Sequence, residues 1–359
     1  MNAGCKPGAP GRALAGLITV LGLAAALAAQ GARAETVQGS TWLQGAGSTF
    51  AAPLYQAWIE AWQGRHKGSS LTYEAIGSGA GINRFLADTV DFAGSDAPIK
   101  DEQIARIGRG VVSVPATAGM IVLAYSLPGG IDDLKLPRDV YAAIFAGDIT
   151  RWNDPRIEAA NPGVKLPDLG IAVVTRMDAS GTTFAFTSHL NAISALWRER
   201  GLGVGTSVDW PGSAMQVKGN EGVAQRIKIS SGAIGYVEYG FAKRLNLPVA
   251  ALENRAGKFV RPSAEAGTAA LSETADTMDE RLRISIADAP GAGAYPIVTY
   301  SWLLLYGHYD DEIKASTLRD FVGWGLTAGQ SMQRDDLSGY IPLPANVVAK
   351  GQQALATIR

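Results

Sequence analysis

Three short turns built from Gly, Ser and Thr each run straight into a stretch with helical apolar spacing, and this pairing constrains the fold more than any bulk property. The first turn, Gly45-Ala46-Gly47-Ser48-Thr49-Phe50, precedes Leu54, Trp58 and Trp62. The second, Gly77-Ser78-Gly79-Ala80-Gly81, precedes Ile82, Phe85 and Leu86, and the third, Asp178-Ala179-Ser180-Gly181-Thr182-Thr183, precedes Phe184 to Leu190. Apolar residues recurring every three or four positions predict helices, the clearest over Phe50 to Trp62. Short apolar runs at Val111 to Val114, Ile121 to Tyr125, Ile171 to Val174 and Ile297 to Leu305 predict buried strands between them. Strand-like runs alternating with amphipathic stretches are the pattern of an α/β fold.

A helix N-terminus leaves its first backbone N–H groups unpaired and carries the positive end of the helix dipole. Glycine lets the backbone approach an anion closely, and Ser or Thr adds a hydroxyl donor. Taken singly, each turn reads more readily as an ordinary helix cap; three in one chain point toward an oxyanion. Arg176 stands two residues before Asp178 at the end of a predicted strand, which places both side chains on one face. The alternatives there are a surface ion pair and a guanidinium oriented by Asp178 toward an oxyanion.

A fourth loop, Ala93-Gly94-Ser95-Asp96-Ala97-Pro98, brings in an acid. A carboxylate repels a dianion unless the ligand carries a proton that it can accept. Phosphate has such a proton near neutral pH and sulfate has none, so Asp96 would select between them by penalising the wrong ligand. By itself Asp96 is more often a turn residue.

Residues 1–34 read as a removable export signal: Lys6 and Arg12, an uncharged run from Ala13 to Ala29, then Ala32-Arg33-Ala34 as a small-x-small cleavage site. Cys5, the only cysteine, precedes that run and would leave with it, which excludes disulfides and thiolate metal sites from the mature chain. Loss of Lys6, Arg12 and Arg33 takes the basic count from 32 to 29 against 33 acidic residues. With no Lys/Arg block, nucleic acid is not an expected partner. An anion must therefore be held by local geometry against the overall field.

The four loops, in this order, resemble those of the periplasmic phosphate-binding proteins that serve high-affinity phosphate ABC transporters. The resemblance spans roughly residues 44–348 and is carried by GAGSTF (45–50), TVDFAGSDAPI (89–99), IFAGDITRWNDPRI (144–157), NPGVKLP (161–167), SGTTFAFTSHL (180–190) and GAIGYVEYGFA (232–242). It implies an α/β, two-lobed periplasmic-binding-protein-like fold, with a hinge of two crossing strands and the ligand in the cleft. Val111 to Ala124 and Ala294 to Ser301 are the candidate crossings, giving a discontinuous lobe I (35–115 and 297–359) and a lobe II (116–296).

The same resemblance implies inorganic phosphate as ligand, with no cofactor and no metal, and the permease subunits of a membrane ABC transporter as partner. The expected location is the periplasm and the expected state a monomer. Ser48, Thr49 and Phe50 would donate from one lobe, Ser78 would add a hydroxyl, and Asp96 would accept the ligand's proton. Arg176, held by Asp178, would supply the charge, and Ser180, Gly181 and Thr182 would complete the cage. Two positions depart from many relatives: Gly79 stands where a second Ser is common, and Ala179 where Gly is common.

Rival readings are another oxyanion (sulfate, molybdate or a phosphonate), which Asp96 disfavours, and a Ser-dependent hydrolase or phosphatase. For the latter, Ser180 needs a base within reach. His189 lies nine residues further on, on the opposite helix face, and surface positions are expected for His66, His189 and His308. An enzyme is therefore not expected. Trp58, Trp62, Trp197 and Trp302 have core spacing rather than that of a sugar-stacking groove.

Overall fold

In the computed structural model of the chain, residues 41–272, 274–333, 337 and 339–359 are described; the leader expected over residues 1–34, with Cys5, lies outside them. Nine strands form one sheet among the described residues. They are β1 (Thr41–Gly47), β2 (Ser69–Ala75), β3 (Phe92–Ser95), β4 (Val111–Ser126), β5 (Ala172–Arg176), β6 (Met215–Val217), β7 (Ala233–Glu238), β8 (Val298–Tyr306) and β9 (Tyr340–Ile341). Their spatial order is β2-β1-β3-β8-β4-β7-β5-β6, with β9 laid along β4. β1 runs parallel to β2 and β3, and β5 runs parallel to β6 and β7. The antiparallel pairs β3–β8, β8–β4 and β4–β7 join these two parallel sets. A second, three-stranded sheet pairs Ala251–Glu253 with Lys135–Leu136 and Phe259–Val260.

β4 is one continuous strand where the sequence suggested two runs around Pro115 and Gly119. It pairs with β8 over Val111–Met120 and with β7 over Ile121–Ser126, so a single strand passes from one set to the other. Pro115 is tolerated because the register slips between Ser301 and Trp302, a bulge at the position where the ladder lacks a donor. Gly119 stays in the ladder beneath the Phe50 ring, which lies 2.7 Å from where a Cβ would be.

The Ala52–Gln63 helix buries Leu54, Tyr55, Trp58, Ile59 and Trp62, the stripe that its periodicity predicts. It begins two residues later than predicted, because residues 48–51 form the turn itself and Pro53 fits a first turn that needs no N–H there. Trp58, Trp62, Trp197 and Trp302 are all buried. The indole N–H groups of Trp58, Trp197 and Trp302 donate to the carbonyls of Gly329, Gly203 and Leu282 at 2.7–2.9 Å, so these are core side chains with their one polar atom satisfied. Among the described residues, no helix is long and apolar enough to cross a membrane.

The consequence for chemistry is positional. The C-terminal ends of β1, β2 and β3 lead into Ser48, Gly77 and Asp96, and those of β5 and β6 carry Arg176 and lead into Gly219. Crevices beyond the carboxyl ends of parallel strands are where α/β folds hold ligands.

Candidate functional site

The loop after β1 turns at Ser48, whose N–H donates to Gly94 O at 2.8 Å. The Ser48 hydroxyl donates to Asp96 Oδ1 at 2.6 Å while accepting from Ala51 N at 3.2 Å. Thr49 is half-buried and Phe50 fully buried; the Tyr340 hydroxyl donates to Phe50 O at 2.6 Å.

Gly77, the N-cap of the Ser78–Leu86 helix, has φ +95°, a backbone conformation that suits glycine and aims Ser78 at the centre of the site. The Ser78 hydroxyl accepts from Asp96 N at 3.2 Å and lies 3.3 Å from Asp96 Oδ2.

Asp96 is therefore wrapped by hydroxyls: Ser48 and Ser301 on Oδ1 (2.6 and 2.7 Å) and Ser78 on Oδ2. Burial pushes its carboxyl up to about 6, and the Ser48 and Ser301 hydroxyls, the Arg176 charge and the Ser78 hydroxyl pull the other way. The group that emerges is a buried acceptor with donors around it.

Arg176 ends β5 with its side chain 1% exposed. Its Nε donates to Asp178 Oδ1 at 2.8 Å and one terminal nitrogen donates to Asp178 Oδ2, a bidentate pair. Burial works to raise the Asp178 carboxyl, but the Arg176 hydrogen bond and charge and the Gly219 N–H outweigh it, and the net shift is downward. The other terminal nitrogen of Arg176 faces Thr182 Oγ1 at 3.5 Å.

Ser180 caps the Gly181–Ile193 helix by accepting from Thr183 N at 3.1 Å. The N–H groups of Gly181 and Thr182 lie in the first turn, where no intrahelical acceptor exists. Gly181 sits directly against the opposite loops: a Cβ there would lie 2.6 Å from both Asp96 Cβ and Ser78 Oγ. The Gly181 backbone of one parallel set thus packs against Asp96 and Ser78 of the other, with no room for a side chain between them. Ser48, Ser78, Asp96, Arg176, Ser180, Gly181 and Thr182, drawn from four separate loops, are all buried at this junction, with Thr49 and Asp178 at its edge.

Three participants escaped the sequence reading. Ser301 is the second hydroxyl on Asp96 Oδ1, and Tyr55 OH lies 3.1 Å from Ser301 Oγ. Ser301 spends its one hydrogen on the carboxylate, so Tyr55 is the donor of that pair. Asn220 reaches both Thr49 and Thr182. Ser301 is a small polar residue inside an apolar strand, and Asn220 follows a glycine with φ +69° at a fourth strand-turn-helix. Both signals were present but weak.

One expectation is corrected. His189 is fully buried rather than at the surface. Its Nδ1–H donates to Ala287 O at 2.7 Å, and the Tyr141 hydroxyl donates to Nε2 at 2.8 Å, so both ring nitrogens are satisfied and burial is tolerated. Burial lowers its pKa to about 4, which makes it a neutral core side chain. His66 and His308 are exposed.

A family model described as a PBP superfamily domain matches residues 27–328. The phosphate-binding protein PstS of Pasteurella multocida is 38% identical over 320 residues, covering 89% of this chain and 91% of that protein. PstS of Methanocaldococcus jannaschii is also 38% identical, over 335 residues, covering 87% and 85%. Among solved structures, a high-affinity periplasmic phosphate-binding protein, PfluDING, bound with phosphate, matches with a TM-score of 0.70 at 21% identity, covering 87% of this chain and 93% of that one. A phosphate-binding protein from Stenotrophomonas maltophilia matches with a TM-score of 0.65 at 18% identity, covering 87% and 93%. At these identities the structural likeness concerns the fold.

Proposed function

The chain belongs to the PBP superfamily, among the PstS phosphate-binding proteins, and from that membership we propose that it captures inorganic phosphate and hands it to a membrane ABC transporter for import. The observation that carries this reading is Asp96. A buried carboxylate facing a guanidinium and a ring of hydroxyl and backbone donors suits a ligand that both accepts many hydrogen bonds and donates one. Monohydrogen phosphate is such a ligand. Sulfate would leave two negative groups face to face with no proton between them.

In this reading Thr49, Phe50, Ser78, Ser180, Gly181 and Thr182 donate to the phosphate oxygens, while Ser48, whose N–H and hydroxyl are engaged by Gly94 O and Asp96 Oδ1, contributes by holding Asp96. Arg176 supplies charge in a geometry fixed by Asp178, and Asp96 accepts the phosphate proton. Lobe I comprises residues 35–115 and 297–359 and lobe II residues 116–296, with the boundary inside β4, and the lobes close around the ligand. The leader at residues 1–34 directs export to the periplasm, where the protein meets the permease as a monomer.

The protein acts as a binder rather than a catalyst. Ser180 Oγ is engaged as a helix cap, and His189 is locked between Tyr141 and Ala287, away from it.

The test is calorimetric titration of ligand-stripped protein lacking residues 1–34 with phosphate and with sulfate. Tight one-to-one phosphate binding with no sulfate response is expected. Silence toward both, or equal binding of sulfate, overturns the assignment.

A further inference from the structure

Asn220 opens the helix Gly219–Ile229 after β6 and is fully buried. Its Oδ1 accepts from Glu238 N at 3.0 Å, and because a backbone N–H can only donate, this bond fixes which end of the amide is which. The Nδ2 end then points at two hydroxyls, Thr49 Oγ1 at 3.0 Å and Thr182 Oγ1 at 3.2 Å. Thr49 follows β1 and Thr182 follows β5, so one amide spans loops from both parallel sets.

A hydroxyl has one hydrogen and two lone pairs. Thr49 Oγ1 receives the Asn220 backbone N–H at 3.2 Å as well as Nδ2, which fills both lone pairs. Thr182 Oγ1 receives Nδ2 and faces the Arg176 terminal nitrogen at 3.5 Å. Every group around these oxygens is a donor. Among the described residues, neither hydroxyl donates a hydrogen bond of its own.

We propose that Asn220 is a positioning residue that occupies the lone pairs of Thr49 and Thr182 and so obliges both hydroxyls to present their hydrogens to the bound oxyanion. The inference rests on the phosphate-binding reading above and assigns within it how two of the donors are oriented. A hydroxyl free to rotate spends part of its time as an acceptor and repels an anion; these two are held as donors before the ligand arrives. Pre-oriented donors raise affinity because little ordering is left to do on binding.

The experiment is a calorimetric phosphate titration on Asn220→Ala, Asn220→Asp and the Thr49→Val/Thr182→Val pair, alone and combined with Asn220→Ala, with melting curves to confirm folding. Asn220→Ala is expected to weaken phosphate binding at least about tenfold. In the Thr49→Val/Thr182→Val background it should cost little more, because its effect passes through those hydroxyls.

Asn220→Asp keeps the bond to Glu238 N but offers the hydroxyls an acceptor, and it should weaken binding about a hundredfold or more. Relative to the unmutated protein that loss should shrink as pH falls and the new carboxyl gains a proton. Asp96, Asp178, Arg176, Glu238, Lys218, Glu221 and Arg244, the ionisable groups on the elements around it, are common to both proteins. If Asn220→Ala does not fold, the Asn220→Asp profile decides alone.

Equal losses on Asn220→Ala with and without the hydroxyls, or a pH-independent Asn220→Asp defect, would show a purely structural role. Absence of phosphate binding by the unmutated protein would instead sink the parent reading.

Discussion

Gly79 and Ala179 touch across the junction of the two parallel sets. Gly79 N donates to Ala179 O at 2.9 Å, and a Cβ built on Gly79 would overlap the Cβ of Ala179. These are the two positions at which the sequence departs from the pattern it resembles, and they prove to be a complementary pair. The side chain absent from one loop makes room for the methyl on the other. The two departures noted in the sequence are one exchange of volume in space.

This pairing predicts a non-additive pair of substitutions. Gly79→Ser alone should push the loops apart and weaken phosphate binding, by about tenfold or more, since overpacking typically costs 1–3 kcal/mol. Ala179→Gly alone should be nearly neutral, and the double variant should recover most of the loss. Titration of all three variants checks this, and additive effects would mean the contact does not govern closure.

Asp96→Asn replaces an acceptor with a group that can donate. The variant should lose much of its phosphate affinity and gain sulfate binding, narrowing the phosphate-to-sulfate ratio by about tenfold or more. Competition of sulfate against phosphate measures this directly.

The hydroxyl relay from Tyr55 through Ser301 to Asp96 predicts a pH signature. With the Asp96 carboxyl pushed up to about 6, sulfate should begin to compete in the unmutated protein as pH falls through that value, where Asp96 becomes a donor. Ser301→Ala removes a hydroxyl that favours the charged form, so the onset of sulfate competition should move to higher pH. Tyr55→Phe should move it the same way by less. Titrations between about pH 5 and 8 read the onset; an unmoved midpoint in both variants would refute the relay.

Glu238 supplies a stability test. It is fully buried, accepts from Gly240 N through Oε1 at 2.7 Å and, among the described residues, has no hydrogen-bond partner on Oε2, and burial raises its carboxyl from 4.5 to about 7. A carboxyl with a higher pKa folded than unfolded keeps a proton that the unfolded chain has released. Its contribution to stability is therefore present below the ordinary value and lost as pH rises from about 4.5 to about 7. Asp96 adds to the same fall between 3.8 and about 6. The ligand-free protein should lose on the order of 3 kcal/mol through Glu238 over its window. Melting temperatures of the Glu238→Gln variant should decline less with rising pH than those of the unmutated protein.

The sequence by itself determined the α/β alternation, the helix stripe of Leu54, Trp58 and Trp62, and the turns that carry Ser48, Ser78, Asp96, Arg176 and Ser180. These are local properties: apolar periodicity and turn chemistry are written within a dozen residues of chain. Only the tertiary structure decided that Val111 to Ser126 is one strand, because continuity past Pro115 depends on a bulge opposite β8, far away in the chain. It alone decided that Ser301 and Tyr55 serve Asp96, that Asn220 bonds to both Thr49 and Thr182, and that His189 is buried with both nitrogens paired. Each of these is a hydrogen bond between segments separated by tens to hundreds of residues. A side chain's polarity is visible in the sequence, but whether a partner waits to satisfy it inside the fold is settled only when the strands are laid side by side.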